Sequence, residues 1–279
     1  MRTLKTALAV GAASFMATSA LAADLPMPPP YMPPPIMDFG GWYLRGDIGF
    51  SNQHVKDIHY GRESAYTPLT SFNQDSSFNS AGIFGLGVGY QFNNWFRADL
   101  IGQYRGNSHF TAVDRFTGSA SGSPYSGQDN YTGSKSEWLV MVNGYVDFGT
   151  WWGVTPFIGA GIGTAQVKIS GFTDTGVNTI PFSTTSYASA PSDSRWNFAW
   201  AAHAGLAYRV NPALTLELAY TYLDMGDGQT GVLTAYNGAT TGNVFKFKDI
   251  TSHDVKFGMR WAIDPMPVYA PPPPLITKG

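Results

Sequence analysis

The chain has 279 residues, of which 15% are aromatic and only 13% charged, with 32 glycines and a formal net charge of −2. Ordinary globular domains carry about 25% charged residues, so this composition is unusual for a protein whose whole surface meets water. With no cysteine there is no disulfide framework, cysteine-ligated zinc or thiol catalysis, and with no basic run nucleic acid is not an expected partner.

Residues 1–22 read as a secretory signal. Arg2 and Lys5 supply its positive start, an apolar stretch follows, and Ala20-Leu21-Ala22 offers a small-residue cleavage site. Residues 23–39 contain PMPPPYMPPP, and residues 264–279 answer with PMPVYAPPPP. Proline cannot donate to a sheet ladder, so both tails are expected to be disordered linkers. No apolar run between them approaches the roughly 18 residues of a membrane helix.

Residues 40–263 instead alternate with a period of two, the mark of strands with one apolar and one polar face. In GWYLRGDIGF, Trp42, Leu44, Ile48 and Phe50 oppose Arg45 and Asp47. In FGLGVGYQF the apolar face opposes mainly glycine. A tight Asn93-Asn94 turn leads to Phe96, Ala98 and Leu100 against Arg97, Asp99 and Arg105. Next, Trp138, Val140 and Val142 oppose Glu137 and Asp147, and in VTPFIGAGIGTAQV Ile158 and Ile162 oppose mostly glycine. Trp196, Phe198 and Trp200 then oppose His203 and Arg209, and Leu214, Leu216 and Leu218 oppose Glu217. Last, Val255, Phe257, Met259 and Trp261 oppose Asp254, Lys256 and Arg260.

Eight strands of about 9–14 residues are long enough to cross a bilayer at a steep tilt. The connections after the second, fourth and sixth are short (NN, GTWWG, NPA). Those after the first, third, fifth and seventh run to about 25 residues rich in Ser, Thr, Asn and Gly. The pattern predicts an all-β fold, an eight-stranded antiparallel transmembrane β-barrel with short periplasmic turns and long extracellular loops. An even strand number places both termini in the periplasm.

The polar faces hold Arg45, Arg97, Arg105, Arg209, Lys256 and Arg260 against Asp47, Asp99, Glu137, Asp147, Glu217 and Asp254. Equal numbers on one face predict a paired interior, with His203 hydrogen-bonded among them and within reach of Asp99 or Glu217. An isolated buried ion would cost several kcal/mol. Aromatics near the short turns, among them Trp42, Trp95, Trp151 and Trp261, predict a lipid-interface girdle.

GWYLRGDIGF after a proline-rich lead, WGVTPFIGAGIGTA and the closing KFGMRW resemble the small outer-membrane β-barrel proteins of alphaproteobacteria, the porin-like surface-antigen family of rhizobia and their pathogenic relatives. The resemblance covers most of residues 40–263. It implies an assembly signal read by the barrel-insertion machinery, and Lys256, Gly258, Trp261 and Ile263 fit its frame. It also implies that a mature amino terminus of Ala followed by an acidic residue, here Ala23-Asp24, can be joined to peptidoglycan. Relatives usually stop at the closing aromatic, whereas this chain continues through prolines.

Arg45-Gly46-Asp47 spells an integrin motif, but the alternation turns Arg45 and Asp47 inward. The glycines of GLGVG and GAGIG sit at alternate strand positions, not at the strand-to-helix turn a dinucleotide needs. None of the five histidines stands in a His-x-Ser pair, and DMGDG falls short of a calcium loop. No enzyme activity and no resident cofactor are therefore expected. His54 and His59, in the first long loop beside Tyr60 and Tyr66, are the candidates for a ligand such as haem, which the resemblance implies for some relatives.

The resulting expectation is an outer-membrane barrel of a Gram-negative cell with a structural and surface role. A small diffusion channel and a loop-based receptor are the alternatives. Its expected partners are outer-membrane lipids and lipopolysaccharide, the barrel-assembly machinery, periplasmic chaperones and peptidoglycan.

Overall fold

The computed structural model describes residues 40–60, 69–120, 122–180, 182–240 and 242–263. The signal, both proline tails, Ala23-Asp24 and Tyr66 lie outside the described residues. Among those described, every element is a strand: β1 (Gly41–Tyr60), β2 (Leu69–Phe78), β3 (Ala81–Gln91), β4 (Phe96–Ala120), β5 (Ser123–Asp147), β6 (Val154–Ile180), β7 (Thr184–Ala190), β8 (Asp193–Arg209), β9 (Leu214–Asp224), β10 (Gly228–Gln229), β11 (Thr234–Ala235) and β12 (Phe245–Ala262).

Eight of them, β1, β3, β4, β5, β6, β8, β9 and β12, pair antiparallel with their neighbours, and β12 returns to β1. The ring is therefore closed and has no free edge. A path of paired residues from Gly41 passes Gln91, Arg97, Tyr145, Gly159, His203, Thr221 and Asp254, and meets β1 again at Ser51, ten residues higher. A stagger of that size over eight strands tilts them by about 40° from the ring axis. The start and end of the ring meet, since the Ile263 amide donates to the Trp42 carbonyl at 2.9 Å.

Through the lower part of the ring the apolar residues face outward: Leu44, Ile48, Leu86, Val142, Ile162, Leu218, Val255 and Met259 are all exposed. Two aromatic bands bracket them. Trp42, Tyr90, Phe96, Tyr208 and Trp261 lie toward the short turns, and Tyr104, Trp138, Trp196, Phe198 and Tyr222 lie toward the other end. Phe198 and Tyr208 are ten residues apart on β8, which at about 3.3 Å per residue and that tilt separates the bands by roughly 25 Å.

The strands are longer than the sequence led us to expect. β4 and β5 each run 25 residues and β6 runs 27, so the connection from β4 to β5 is a two-residue turn rather than a long loop. β2 continues β3 along β4, and β7 continues β8 along β6, so most of the expected loops are sheet. Their polar composition hid a period of two that resumes past irregularities in the ladder. Beyond the upper aromatic band the apolar face simply inverts. Phe110, Ala112 and Phe116 of β4 point inward, with Val167, Ile169, Phe172, Phe245, Phe247 and Ile250, and all but Phe116 join one buried cluster. Apolar side chains leave the outer face where it ceases to meet an apolar medium. A register shift between Arg105 and Ser108 marks the change on β4.

The segment between β9 and β12 crosses the mouth. Met225 and Leu233 are buried in the same cluster, β10 pairs with β12, and β11 pairs with β7 on another wall. Glycine makes the tight interior spacing possible. A side chain at Gly159 would run into the ring of Tyr145, and one at Gly89 into Tyr43, so both alternating-glycine stretches serve as floors beneath large inward residues.

Candidate functional site

Inside the ring, the short-turn half is filled by charge. Arg45 Nη1 donates to Asp99 Oδ2 at 2.8 Å and to the Tyr145 hydroxyl at 2.9 Å, its Nε meets Asp47 at 3.1 Å, and its Nη2 meets Glu217 at 3.3 Å. Glu217 also takes Arg97 Nη2 at 3.1 Å and Arg260 Nε at 2.7 Å. Arg97 pairs with Asp147 at 3.3 Å and lies over the Tyr145 ring, 4.1 Å from its centroid. These groups come from inward positions on five strands, β1, β4, β5, β9 and β12, and the stagger of the ring decides which of them meet across strands.

His203 does not reach Asp99 or Glu217 directly. One ring nitrogen lies 2.9 Å from the Thr221 hydroxyl and the other 3.2 Å from Asn143 Oδ1, and Asn143 Nδ2 donates to Asp99 at 2.8 Å. Higher up, Arg105 Nη1 donates to Asp254 Oδ1 at 3.1 Å and to Ser51 and Ser252 at 3.0 Å. Lys135 pairs with Glu137, which also accepts from Gln53 at 3.2 Å. Between the two levels, a cavity of about 10 Å³ is bounded by Asp47, Arg105, Asn143, His203 and Lys256, room for about one water. The apolar cluster reaches down to this cavity, where Ile101, Leu139, Met141 and Leu223 line it, and continues above it.

Arg209 is a correction: it is exposed near the short turn after β8, where the apolar-out alternation of that strand runs out. Its place among the cations is taken by fully buried Lys135, which composition had placed in a loop. Up to the level of Lys135 the described interior therefore still holds equal numbers, with Arg45, Arg97, Arg105, Lys135, Lys256 and Arg260 against the same six carboxylates.

His54 and His59 are another correction. Both lie in β1 rather than in a loop, and both face outward. Five residues of extended chain separate them, about 16 Å, so they do not converge on one ligand; His59 approaches Asp57 at 3.9 Å. Arg45 and Asp47 of the integrin-like motif are spent on each other inside the ring. In DMGDG, Asp224 accepts from the Gly226 amide at 2.9 Å and Asp227 pairs with Lys248. Lys256, Gly258, Trp261 and Ile263 close β12, with Gly258 against Asp47 and Trp261 and Ile263 facing out.

The sequence reading missed a group beyond the upper aromatic band. Asp114 stands opposite Asp129 across β4–β5, and Tyr131 stands opposite Asp174 across β5–β6, all on the inward face. Burial, then the neighbouring Asp114, pushes Asp129 up to about 6. Burial, then Asp129 and Asp114, pushes Asp174 up to about 7. These carboxylates were hidden inside segments read as loops. Among the described residues, no group of three or more His, Cys, Asp or Glu side chains could hold a metal.

Residues 7–261 match the family described as outer membrane protein beta-barrel domain. The chain belongs to that family. An uncharacterised protein of Brucella melitensis is 31% identical over 266 residues, covering 88% of this chain and 93% of its own length. Outer membrane protein PagN of Salmonella typhimurium is 32% identical over 196 residues, covering 67% of this chain and 75% of that one. Among solved structures, Neisserial surface protein A aligns over 80% of this chain and 97% of its own with a TM-score of 0.45 and 12% identity. This barrel is accordingly an outer-membrane protein, and the small outer-membrane barrel family suggested by its motifs is the one it falls in.

Proposed function

We propose that this outer-membrane barrel is a closed structural and surface protein, whose short turns face the periplasm and whose long strands lift a packed extension outside the cell. The observation that carries the reading is the filled interior: five cations and six carboxylates in direct ion pairs with buried Lys256 beside them, a water-sized cavity and an apolar cluster bridged by the β9–β12 segment. A barrel of about eight strands is just wide enough for side chains to fill it, which favours this reading over a diffusion channel. The exposed turn between β4 and β5 and the short Asn93-Asn94 turn test the sidedness. A cysteine at Gly122 should react with an impermeant maleimide on intact cells, and one at Asn94 should react only after lysis. The reverse pattern would overturn the orientation.

With this orientation both termini are periplasmic, and each proline-rich run of about ten residues would reach roughly 30 Å toward the cell wall as polyproline II. The proposed link at Ala23-Asp24 uses the α-amine as nucleophile toward an acyl-enzyme of cell-wall cross-linking. Mass spectrometry of digested, detergent-washed sacculi should find the Ala23 peptide carrying a peptidoglycan stem. Recovery of the unmodified peptide alone would remove the link. Lys256, Gly258, Trp261 and Ile263 are proposed to serve as the assembly signal despite the tail that follows them.

A further inference from the structure

Far above the upper aromatic band, the outward face of β2, β4, β5 and β6 carries neither the apolar side chains of a membrane wall nor a dense charge. Register puts Asn73, Arg115 and Gln128 in one row across three strands, and Thr117 beside Ser126 in the next. Ser126 Oγ lies 2.7 Å from Thr179 Oγ1, which extends that row onto β6. These side chains, together with Ser71, Phe116, Gly127 and Val177, line an open groove of about 610 Å³, within the roughly 300–1,000 Å³ of small-ligand sites. Ser126 is twelve residues beyond Trp138 along β5, about 30 Å above the aromatic band for the tilt of these strands, which takes the groove clear of lipid.

The chemistry of the lining narrows the ligand. Hydroxyls and side-chain amides both donate and accept, which suits a molecule carrying adjacent hydroxyl groups. Arg115 sits at the centre of its row. Its present partner, Asp75, makes a single 3.3 Å contact between side chains that are 54% and 70% exposed, the kind of surface pair that holds weakly. The planar guanidinium is thus free to exchange that contact for a bidentate one with a ligand carboxylate. One guanidinium beside an aspartate lacks the charge density that nucleic acid or a polysulfated chain needs.

We propose that this groove binds an acidic saccharide, its carboxylate on Arg115 and its hydroxyls on Thr117, Ser126, Gln128 and Thr179. A biological role for the site rests on the extension lying outside the cell. Its chemistry does not, and the following test uses purified full-length protein in detergent.

Saturation-transfer NMR titrations with 3′-sialyllactose, a glucuronate disaccharide, lactose and a sulfated disaccharide decide the matter. At least one carboxylated sugar should bind saturably and lactose at least tenfold more weakly. Arg115→Ala should abolish the difference, Ser126→Ala with Thr179→Ala should weaken binding several-fold, and Asp75→Ala should tighten it by freeing Arg115. Unboiled gel mobility would verify that each exposed-surface variant is folded. Binding of neither carboxylated sugar, equal binding of lactose, or indifference to Arg115→Ala would overturn the proposal. So would stronger binding of the sulfated disaccharide that disappears at high salt. Failure here with correct labelling at Gly122 would remove the site while leaving the orientation intact.

Discussion

Glu217 on β9 and Arg260 on β12 meet at 2.7 Å inside the ring, and the same carboxylate reaches Arg45 on β1, beside β12, and Arg97 on β4, across the lumen. Glu217 is thus the point where the closing pair of strands is tied to the opposite wall. Glu217→Gln should leave three guanidinia short of one charge, in surroundings where breaking a buried pair costs about 3–5 kcal/mol. Asp147→Asn, whose carboxylate answers Arg97 and sits nearer the rim, should cost less. Outward Leu100→Ala should cost less again, since it forfeits contact with lipid and strands nothing. Urea midpoints of the refolded barrel in detergent check this order. An equal loss at all three positions would mean that the charges do not hold the ring together.

The part of the apolar cluster that lies beyond the upper aromatic band should behave as a separable layer. Phe245 stacks near Tyr60, Tyr131 and Phe172, at centroid distances of 4.5–4.8 Å. Truncating a buried phenylalanine typically costs about 3–5 kcal/mol. Phe245→Ala should therefore loosen the extension and the β9–β12 segment while the ring stays folded. Limited proteolysis should cut near Tyr236, which is 90% exposed at its turn, and unboiled gel mobility should remain that of a folded barrel. Loss of both together would show one cooperative unit instead of two layers.

Acidification should firm this extension. The carboxyls of Asp129 and Asp174 sit above their ordinary range because burial and the facing carboxylates, Asp114 among them, disfavour the charge. The folded state therefore binds protons more readily than the unfolded chain. The resulting stability is fully present below about pH 4 and is lost as pH rises through about 6 and 7. Tyr131, whose hydroxyl is also pushed up, stays neutral throughout and can donate to a neighbouring carboxylate. Amide exchange of residues 127–133, corrected for intrinsic rates, should slow from pH 8 to pH 5. Asp129→Asn should flatten that dependence, and an unchanged slope in the variant would place its origin elsewhere.

Much of the ring was legible because membrane strands obey a simple period. Trp42, Leu44 and Ile48 against Arg45 and Asp47 announce which side meets lipid, and all eight segments found this way form the ring. The extension escaped notice for a physical reason. Phe110, Ala112, Asp114 and Phe116 keep the same period, but the apolar face has turned inward, and the intervening Thr, Ser and Gly read as loop. Lys135 and the cluster around Asp129 were lost with it. Pairings such as Glu217 with Arg45, or His203 with Asn143, depend on the ten-residue stagger around the ring, which no single segment encodes. Arg209 was misplaced because alternation alone does not say where a strand clears the rim.

Planar-bilayer recording of the purified, folded protein tests the closed interior most directly. Bilayers with demonstrably inserted protein should remain electrically silent under the proposed closed interior, in which the charges, the 10 Å³ cavity and the apolar cluster fill the ring among the described residues. Stable, reproducible openings from the unmodified barrel would contradict that account.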